Sequence, residues 1–276
     1  MNQKICFYGR PYPWVNSFYD MIDATVKDGL SVIEASCSWE LKEPDVEAAK
    51  KIRAYADSKG VTFSCFSLYA NLVGPDGRKG IDRMKAYAEI AAIMGSPYLH
   101  HTIAGECMEP DNVLPFKEEY YQQGLEAVRE IYDHAQKYGV RAIYEDQGYI
   151  FNGVKDFRRF LDEVGRDVGV VADFGNIYET TETIEDFIKA FPDKIVNVHL
   201  KDLTVDKEDL TGWGLKSLRG GYMNECEIGK GCVDFETCIG LLKANGYDGC
   251  YAIEFGEEEG NPCMKDVLER IDNWLK

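Results

Sequence analysis

Four strand-like segments in the second half of this chain each end in a side chain that binds metal ions. The end residues are Glu145, Asp173, His199 and Glu254, separated by 28, 26 and 55 residues. One β-strand with its crossover helix takes about 30 residues, so this spacing indicates one ligand-type residue per β/α unit, always where an apolar run ends. No other feature of the chain constrains its fold as strongly.

Apolar runs alternate with amphipathic helical stretches from end to end. The runs are short and rich in Val, Ile and aromatic residues, as buried parallel strands are. The predicted strands are Ile5–Tyr8, Ser31–Ala35, Val61–Leu68, Tyr98–Ile103, Val140–Glu145, Gly169–Asp173, Ile195–Leu200 and Cys250–Phe255. Eight strands alternating with about eight helices predict an α/β fold, a parallel (β/α)8 or TIM barrel, whose strand ends meet on the face that carries active sites. An open doubly wound sheet is the alternative, but such a sheet binds its ligand at one switch point.

The chain length of 276 residues fits one barrel domain over residues 1–276. No Pro/Gly/Ser-rich linker and no shift in composition marks a second domain. One connection is oversized, Asp202–Lys230, between the seventh strand and its helix. A long loop at the ligand-bearing end is typical of an active-site lid, and a surface excursion or dimer arm is the alternative.

Charge and composition exclude several classes of function. The chain has 48 acidic and 31 basic residues, a net charge of −17, which disfavours binding to nucleic acids and to anionic membranes. The N-terminal segment lacks a signal-peptide core, and no apolar run could span a bilayer. Nine cysteines without a C-x-x-C pair indicate a reducing compartment. We therefore expect an acidic cytoplasmic enzyme.

The four end residues together predict a site for one divalent cation. Singly, each has an ordinary explanation, such as a rim charge, a helix cap or a core histidine. An unpaired carboxylate at the end of a buried strand is costly, so four such ends in register are difficult to explain without a cation. Oxygen ligands with one imidazole suit Mn²⁺, Mg²⁺, Co²⁺ or Zn²⁺.

Longer motifs surround these residues. They are Y-E-D at Tyr144–Asp146, D-F-G-N at Asp173–Asn176, N-V-H-L-K-D at Asn197–Asp202, E-I-G-K-G-C-V-D-F at Glu227–Phe235 and G-Y-D-G-C-Y-A-I-E at Gly246–Glu254. Together they resemble the xylose-isomerase-like sugar phosphate isomerase/epimerase superfamily. The resemblance covers Val140–Lys276 with specific motifs. Before Val140 the resemblance depends mainly on the alternation of predicted strands and helices, with Glu34 and His101 at strand ends.

The resemblance implies roles for the four end residues. Glu145, Asp173, His199 and Glu254 would bind one divalent metal. By analogy with the ketose 3-epimerases of the superfamily, Glu145 and Glu254 would also act as an acid/base pair on opposite faces of the substrate. The chemistry agrees, because a proton beside a carbonyl becomes removable once a metal polarises the carbonyl oxygen.

Further residues are expected to contact the substrate. Several members of the superfamily have a histidine where this chain has Asn176, which can still hydrogen-bond a hydroxyl group. Arg219 is a candidate for the arginine that many members carry after strand seven, and His101 ends strand four. Lys201 points to the same side of its strand as His199.

Two of these assignments have alternatives. Lys201 is expected at the substrate, or else paired with Asp202 or Glu227. We expect the oversized loop to bring Trp213 or Tyr222 near the substrate, because aromatic faces pack on the C–H faces of sugars. Trp213 is alternatively an anchor of a subunit interface, so a homo-oligomer remains open.

The sequence favours a metal-dependent sugar isomerase or epimerase. A lyase that dehydrates a keto-cyclitol or keto-sugar is the second hypothesis, and a non-catalytic sugar-binding barrel is the third. A nuclease of the same superfamily needs more histidine ligands than this chain provides, since it has four His in all. Three consecutive acids, Glu257–Glu259, favour a neutral sugar or cyclitol over a phosphate ester.

Overall fold

Eight parallel strands form a closed barrel in the computed structural model, which describes residues 4–9, 15–105, 113–210, 212, 214–254 and 264–276. The described residues contain three further strands outside the barrel. In chain order all the strands are Ile5–Tyr8 (β1), Val32–Ser36 (β2), Thr62–Leu68 (β3), Tyr98–His101 (β4), Arg141–Glu145 (β5), Gly169–Asp173 (β6), Ile195–Leu200 (β7), Asp202–Asp206 (β8), Leu215–Lys216 (β9), Tyr222–Cys226 (β10) and Tyr251–Ile253 (β11). The barrel order is β1-β11-β7-β6-β5-β4-β3-β2. The predicted (β/α)8 barrel is confirmed.

Helices alternate with the barrel strands, as the sequence pattern predicts. Within the described residues there are eight α-helices: Phe18–Lys27 (α1), Val46–Lys59 (α2), Gly77–Met94 (α3), Lys117–Ala135 (α4), Val154–Val164 (α5), Ile184–Ala190 (α6), Phe235–Ala244 (α7) and Met264–Leu275 (α8). Helix α2 begins where the Asp45 carboxylate accepts hydrogen bonds from the backbone N–H groups of Glu47 and Ala48. It ends at Gly60, whose φ of 71° suits glycine and ends the helix before β3.

The strands separate two apolar regions. The larger region lies between the barrel and the helices, where each fully buried aromatic or aliphatic side chain contributes about 1.5–3 kcal/mol. Inside the barrel there are two small clusters, one of Cys6, Val32 and Ala252 and one of Cys65, Ile143 and Val171. These clusters fill the lumen below the polar residues at the carboxyl ends of the strands, as in a packed barrel rather than a pore.

The connection Asp202–Lys230 differs from the irregular loop that we expect from its length. Strands β8, β10 and β9 form a separate antiparallel sheet within it, with Met223 paired to Val205 and to Leu215. The D-L-T-V-D segment alternates polar and apolar residues, which is the pattern of a strand, and its Leu203 is buried. Among the described helices, none is both long and apolar enough to cross a bilayer.

Candidate metal centre at the mouth of the barrel

Three carboxylates surround one nitrogen of a buried histidine at the carboxyl ends of the strands. His199 Nδ1 lies 3.4 Å from Glu145 Oε2, 3.5 Å from Asp173 Oδ2 and 3.3 Å from Glu254 Oε2. Ligand atoms of Glu145, Asp173 and His199 all lie within 4.8 Å of one another. The structure therefore brings all four predicted ligand residues into one cluster.

The barrel explains this convergence. Asp173 and His199 are Cα partners in the ladder between β6 and β7, so both side chains leave the sheet at the same level. Glu145 ends β5, and Glu254 directly follows β11, where its backbone N–H donates to the Leu200 carbonyl oxygen. Parallel strands in a closed barrel deliver all these ends to one mouth.

Two buried atoms of the cluster have no hydrogen-bond partner, His199 Nδ1 and Asp173 Oδ2. Asp173 Oδ1 is satisfied, since it accepts hydrogen bonds from the backbone N–H groups of Gly175 and Asn176 at 2.8 and 2.9 Å. Buried polar atoms rarely lack a hydrogen bond, and both of these atoms lie in a cluster of three carboxylates that repel one another. A divalent cation fits this donor set, because it would accept both lone pairs and offset the charge.

The Asp173 strand end is itself held by a neighbouring carboxyl group. Asp146, directly after β5, is fully buried, and its Oδ1 accepts the Asp173 backbone N–H at 2.9 Å. Burial, with the nearby Asp173 charge, raises the pKa of Asp146 well above its usual range. Asp146 therefore links the ends of β5 and β6 and sets the spacing between the Glu145 and Asp173 carboxylates.

The acidic surroundings shift the titration of His199. Burial lowers the pKa of the imidazole, but the charge of Glu34 and the contacts with Asp173 and Glu145 outweigh burial and hold the pKa well above its ordinary value. The pocket thus stabilises positive charge at the ring. A metal ion at Nδ1 would take the place of that proton, since metal binding to histidine requires the neutral ring.

Lys201 supplies a second positive charge to the cluster. Its Nζ lies 3.2 Å from Asp173 Oδ2 and 3.2 Å from Glu254 Oε1, and it donates to Asn176 Oδ1 at 3.2 Å. The ion pair with Asp173 Oδ2 lacks hydrogen-bond geometry, so that oxygen stays available to another ligand. Burial lowers the pKa of Lys201, but Asp173 and Glu254 outweigh it and hold the pKa well above its usual range. Lys201 is therefore a buried ammonium group in the pocket.

The alternative partners expected for Lys201 are bound elsewhere. Asp202 Oδ2 accepts hydrogen bonds from the backbone N–H groups of Gly229 and Gly231, both at 2.8 Å. Glu227 pairs with Arg270. The motif E-I-G-K-G therefore folds around the Asp202 carboxylate, which anchors the end of the connection after β7.

Asn176 stands beside Lys201 at the start of the connection after β6. It is buried, and its amide nitrogen Nδ2 has no hydrogen-bond partner. Its carbonyl oxygen Oδ1 accepts from Lys201. An amide donor without a partner at the edge of the carboxylate cluster is suited to binding a substrate hydroxyl group.

The structure places His100, and not its neighbour His101, with the cluster. His100 Nε2 lies 3.6 Å from Glu145 Oε2 and has no hydrogen-bond partner. His101 lies on the other face of β4, bound to Tyr144 OH at 3.1 Å and to the Thr102 carbonyl oxygen at 3.0 Å. Burial lowers the pKa of His101 to about 4, so it is a neutral group between barrel and helices. His101, expected at the substrate, is not brought to the pocket.

His100 and two further buried polar residues in the first half of the chain, Glu34 and Ser67, approach the cluster without having been predicted as site residues. The Ser67 hydroxyl donates to Glu34 Oε1 and lies 3.2 Å from His100 Nδ1. Glu34 Oε1 in turn lies 2.9 Å from His199 Nε2. The signal that could have found them is a repeat, since Glu34, Ser67 and His100 follow one another at intervals of 33 residues.

Two expected substrate contacts in the oversized connection remain unsupported. The Arg219 guanidinium donates to the Thr180 carbonyl oxygen at 3.0 Å and to that of Glu182, and it lies over the Tyr178 ring. It holds the small antiparallel sheet to the segment after β6 rather than reaching the carboxylates. Trp213 lies outside the described residues, as do the acids Glu257–Glu259 that favour a neutral substrate.

Comparisons with known proteins identify relatives of the chain. A family model described as xylose isomerase-like TIM barrel matches residues 22–275. An inosose dehydratase of Clostridium perfringens is 24% identical over 175 residues, which cover 61% of this chain and 58% of the relative. The L-ribulose-5-phosphate 3-epimerase UlaE of Shigella flexneri is 27% identical over 181 residues, 56% of this chain and 63% of the relative. The chain thus matches about three-fifths of the length of these relatives.

A solved structure has the same architecture. The 3-keto-D-glucoside 4-epimerase YcjR from E. coli, in its apo form, superposes with a TM-score of 0.76 over 99% of this chain and 100% of that chain. The sequence identity is 14%, so this similarity shows the fold alone.

Proposed function

The chain belongs to the xylose isomerase-like TIM barrel family, and from that premise we propose that it is a divalent-metal-dependent isomerase or epimerase of a small polyhydroxylated carbonyl compound. The favoured reactions are ketose 3-epimerisation and aldose–ketose isomerisation. One observation carries the proposal: three carboxylates meet at His199 Nδ1, and the buried atoms His199 Nδ1 and Asp173 Oδ2 have no hydrogen-bond partner.

The proposed ligands are Glu145, Asp173, His199 and Glu254. A divalent cation held by these side chains would polarise the substrate carbonyl and stabilise negative charge on its oxygen. The ligand set does not select among Mg²⁺, Mn²⁺, Co²⁺ and Zn²⁺, because all four accept carboxylate oxygens and an imidazole nitrogen.

Proton transfer falls to the two glutamates. Glu145 ends β5 and Glu254 follows β11, with β6 and β7 between them in the barrel, so the two carboxylates approach the pocket from different sides. One carboxylate accepts the proton from the carbon beside the carbonyl. The other, protonated, returns a proton either to the opposite face of that carbon, or to the former carbonyl carbon while the hydroxyl proton moves to the carbonyl oxygen. The first outcome is epimerisation and the second is isomerisation.

Neighbouring side chains can bind the substrate's hydroxyl groups. Asn176 Nδ2 is a buried donor without a partner, and Lys201 is a buried ammonium group 3.2 Å from Glu254 Oε1. Lys201 thus places a positive charge beside one of the two proposed acid/base residues.

A lyase on the same scaffold is the second candidate function. Two observations favour it: the similarity to an inosose dehydratase, and the position of His100 Nε2, which lies 3.6 Å from Glu145 Oε2 without a hydrogen-bond partner. After the same proton abstraction, a hydroxyl on the next carbon leaves as water if an acid protonates it. A donor beside the abstracting carboxylate could stabilise that leaving group.

The test is product analysis by NMR in D₂O after incubation with Mg²⁺, Mn²⁺, Co²⁺ or Zn²⁺ and a panel of ketoses, ketose phosphates and keto-inositols. Deuterium at the carbon beside the carbonyl supports the isomerase or epimerase, and loss of water supports the lyase. Glu254→Gln should be folded and inactive, whereas Asp248→Asn, at an exposed carboxylate paired with Lys4, should keep full activity. No exchange with any substrate and metal would contradict the proposal.

A further inference from the structure

Glu34 is a fully buried carboxylate on β2, in the half of the barrel that does not contain the predicted ligands. Its Oε2 accepts a hydrogen bond from Asn197 Nδ2 at 2.7 Å. Its Oε1 accepts one from the Ser67 hydroxyl and lies 2.9 Å from His199 Nε2. Donors therefore surround both oxygens, which is the environment of an ionised carboxylate.

The contact with Glu34 decides how the His199 ring is used. A carboxylate accepts a hydrogen bond and cannot donate one, so His199 Nε2 must carry the proton at this contact. The other nitrogen, Nδ1, then faces Glu145, Asp173 and Glu254, and its lone pair becomes available when a cation replaces the proton there. Two neighbouring rings restrict rotation of the His199 imidazole. The ring centroids of Tyr8 and His100 each lie 5.3 Å from that of His199, in edge-to-face contact.

We propose that Glu34 is a positioning residue of the metal centre, which fixes His199 as the Nε2–H tautomer and holds Nδ1 towards the cation. The inference rests on the proposed function, because it requires a cation at Nδ1. Carboxylates that accept the second N–H of a metal-binding histidine typically raise metal affinity about 10–100-fold. Asn197 and Ser67 hold the Glu34 carboxylate in place, so its direction is set from three strands, β2, β3 and β7.

The first measurement is calorimetric titration of metal-stripped protein with Mn²⁺. Glu34→Gln removes the charge and keeps the shape, and we expect about 10–100-fold weaker binding. Glu179→Gln is the matched control, because Glu179 is an equally buried glutamate whose carboxylate binds the Gly148 N–H and Asn152 and does not contact His199. The control should bind Mn²⁺ within about twofold of the unchanged protein, since it lies outside the histidine contact.

The second measurement reads the tautomer by ¹⁵N NMR of histidine-labelled protein loaded with Zn²⁺, which is diamagnetic. The chain has four His, so each imidazole can be assigned by substitution. We expect a His199 with hydrogen on Nε2 and none on Nδ1, and a low-field Nε2–H signal that moves upfield in Glu34→Gln. The spectrum of the unchanged protein tests the proposal even if Glu34→Gln fails to fold.

The outcomes separate this inference from the proposed function. If His199→Ala binds Mn²⁺ as tightly as the unchanged protein, the metal centre itself is wrong. If His199→Ala loses the metal while Glu34→Gln binds it normally, or if hydrogen is found on Nδ1, the metal centre stands and the role of Glu34 is wrong. A drop in the melting temperature of metal-free Glu34→Gln without a change in Mn²⁺ affinity would likewise reduce Glu34 to a structural residue.

Discussion

The two halves of the barrel contribute differently to its mouth. The last four barrel strands deliver Glu145, Asp173, His199 and Glu254, whose charged or lone-pair atoms meet at one point. The first four strands deliver Tyr8, Glu34, Ser67 and His100, whose contacts are with residues of the other half or with each other. One half carries the proposed ligands of the cation, and the other half contacts those ligands through aromatic and buried polar side chains.

This difference shows that a buried polar residue at a strand end has two uses. Asp173 Oδ2 and His199 Nδ1 have no hydrogen-bond partner, which is costly for buried atoms without a ligand. Both oxygens of Glu34 are paired within the protein. Hydrogen-bond satisfaction therefore distinguishes the proposed ligand atoms of Asp173 and His199 from the Glu34 carboxylate, which is the proposed support.

The largest effect is expected from a change in the ligand half. Glu145→Gln removes a proposed ligand and one of the two proposed acid/base residues, and loss of one such residue alone lowers the rate about 10²–10⁴-fold. We expect the rate of deuterium exchange into substrate, measured by NMR, to fall by at least that factor. If Glu145→Gln and Glu34→Gln exchanged deuterium into substrate at the same rate, the proposed difference between the two halves of the barrel would be wrong.

A buried glutamate away from the pocket should control the response of stability to pH. Burial raises the pKa of Glu179 to about 8, so the folded protein holds a proton that the unfolded chain releases near its ordinary value. The stabilisation is therefore present at low pH and is lost as pH rises towards about 8.

Glu179→Gln mimics the protonated acid. Above about pH 8 it should increase the free energy of unfolding by a few kcal/mol, and near pH 5 by about zero. Urea denaturation at both pH values measures this. Equal effects at the two pH values would mean that Glu179 is ionised in the folded protein.

The loop that Asp202 anchors can be tested with two glycines. A Cβ at Gly231 would overlap Asp202 Oδ1 and the Leu203 carbonyl oxygen, whereas a Cβ at Gly240 meets nothing within 4 Å. Gly231→Ala should destabilise the protein by about 1–3 kcal/mol, and Gly240→Ala in α7 should stabilise it by about 0.5–1 kcal/mol. Thermal denaturation compares them. A Gly231→Ala as stable as Gly240→Ala would show that the Asp202 anchor has room to relax.

The smallest effect is a change in metal affinity of opposite sign to that expected for Glu34→Gln. Lys201 shares Asp173 Oδ2 and Glu254 Oε1 with the proposed cation, so its charge repels that cation. Lys201→Met should therefore bind Mn²⁺ about tenfold more tightly, because removal of the repulsion outweighs loss of the ion pairs that order the two carboxylates. Weaker Mn²⁺ binding in a calorimetric titration would indicate that Lys201 orders the carboxylates instead of competing with the metal.

The sequence was sufficient to predict the barrel and the ligand half of its mouth. Strands β1, β6 and β7 have the predicted bounds, because each is a short apolar run with clear ends. The four ligand-type residues could be found for the same reason, since each directly terminates such a run. The convergence of these four residues follows from the barrel, because its parallel strands all end at the same mouth.

The residues of the first half were not predicted as site residues, because the repeat of 33 residues that connects them does not show which face of its strand each residue occupies. His100 and His101 are adjacent, and the choice between them requires the register with β3, where Ser67 pairs with His100. Irregular register at Ile33/Glu34 and Val170/Val171 shifts the alternation further. Glu34 also contacts His199 across 165 residues of sequence, a pairing that closure of the barrel creates.

The most direct test of the account is an anomalous diffraction experiment at the manganese edge on crystals soaked in Mn²⁺. We predict one peak at about 2.0–2.5 Å from carboxylate oxygens of Glu145, Asp173 and Glu254 and from His199 Nδ1. Coordination through His199 Nε2, or a peak away from these four side chains, would contradict the proposed metal centre. Absence of any peak at saturating Mn²⁺ would contradict it equally.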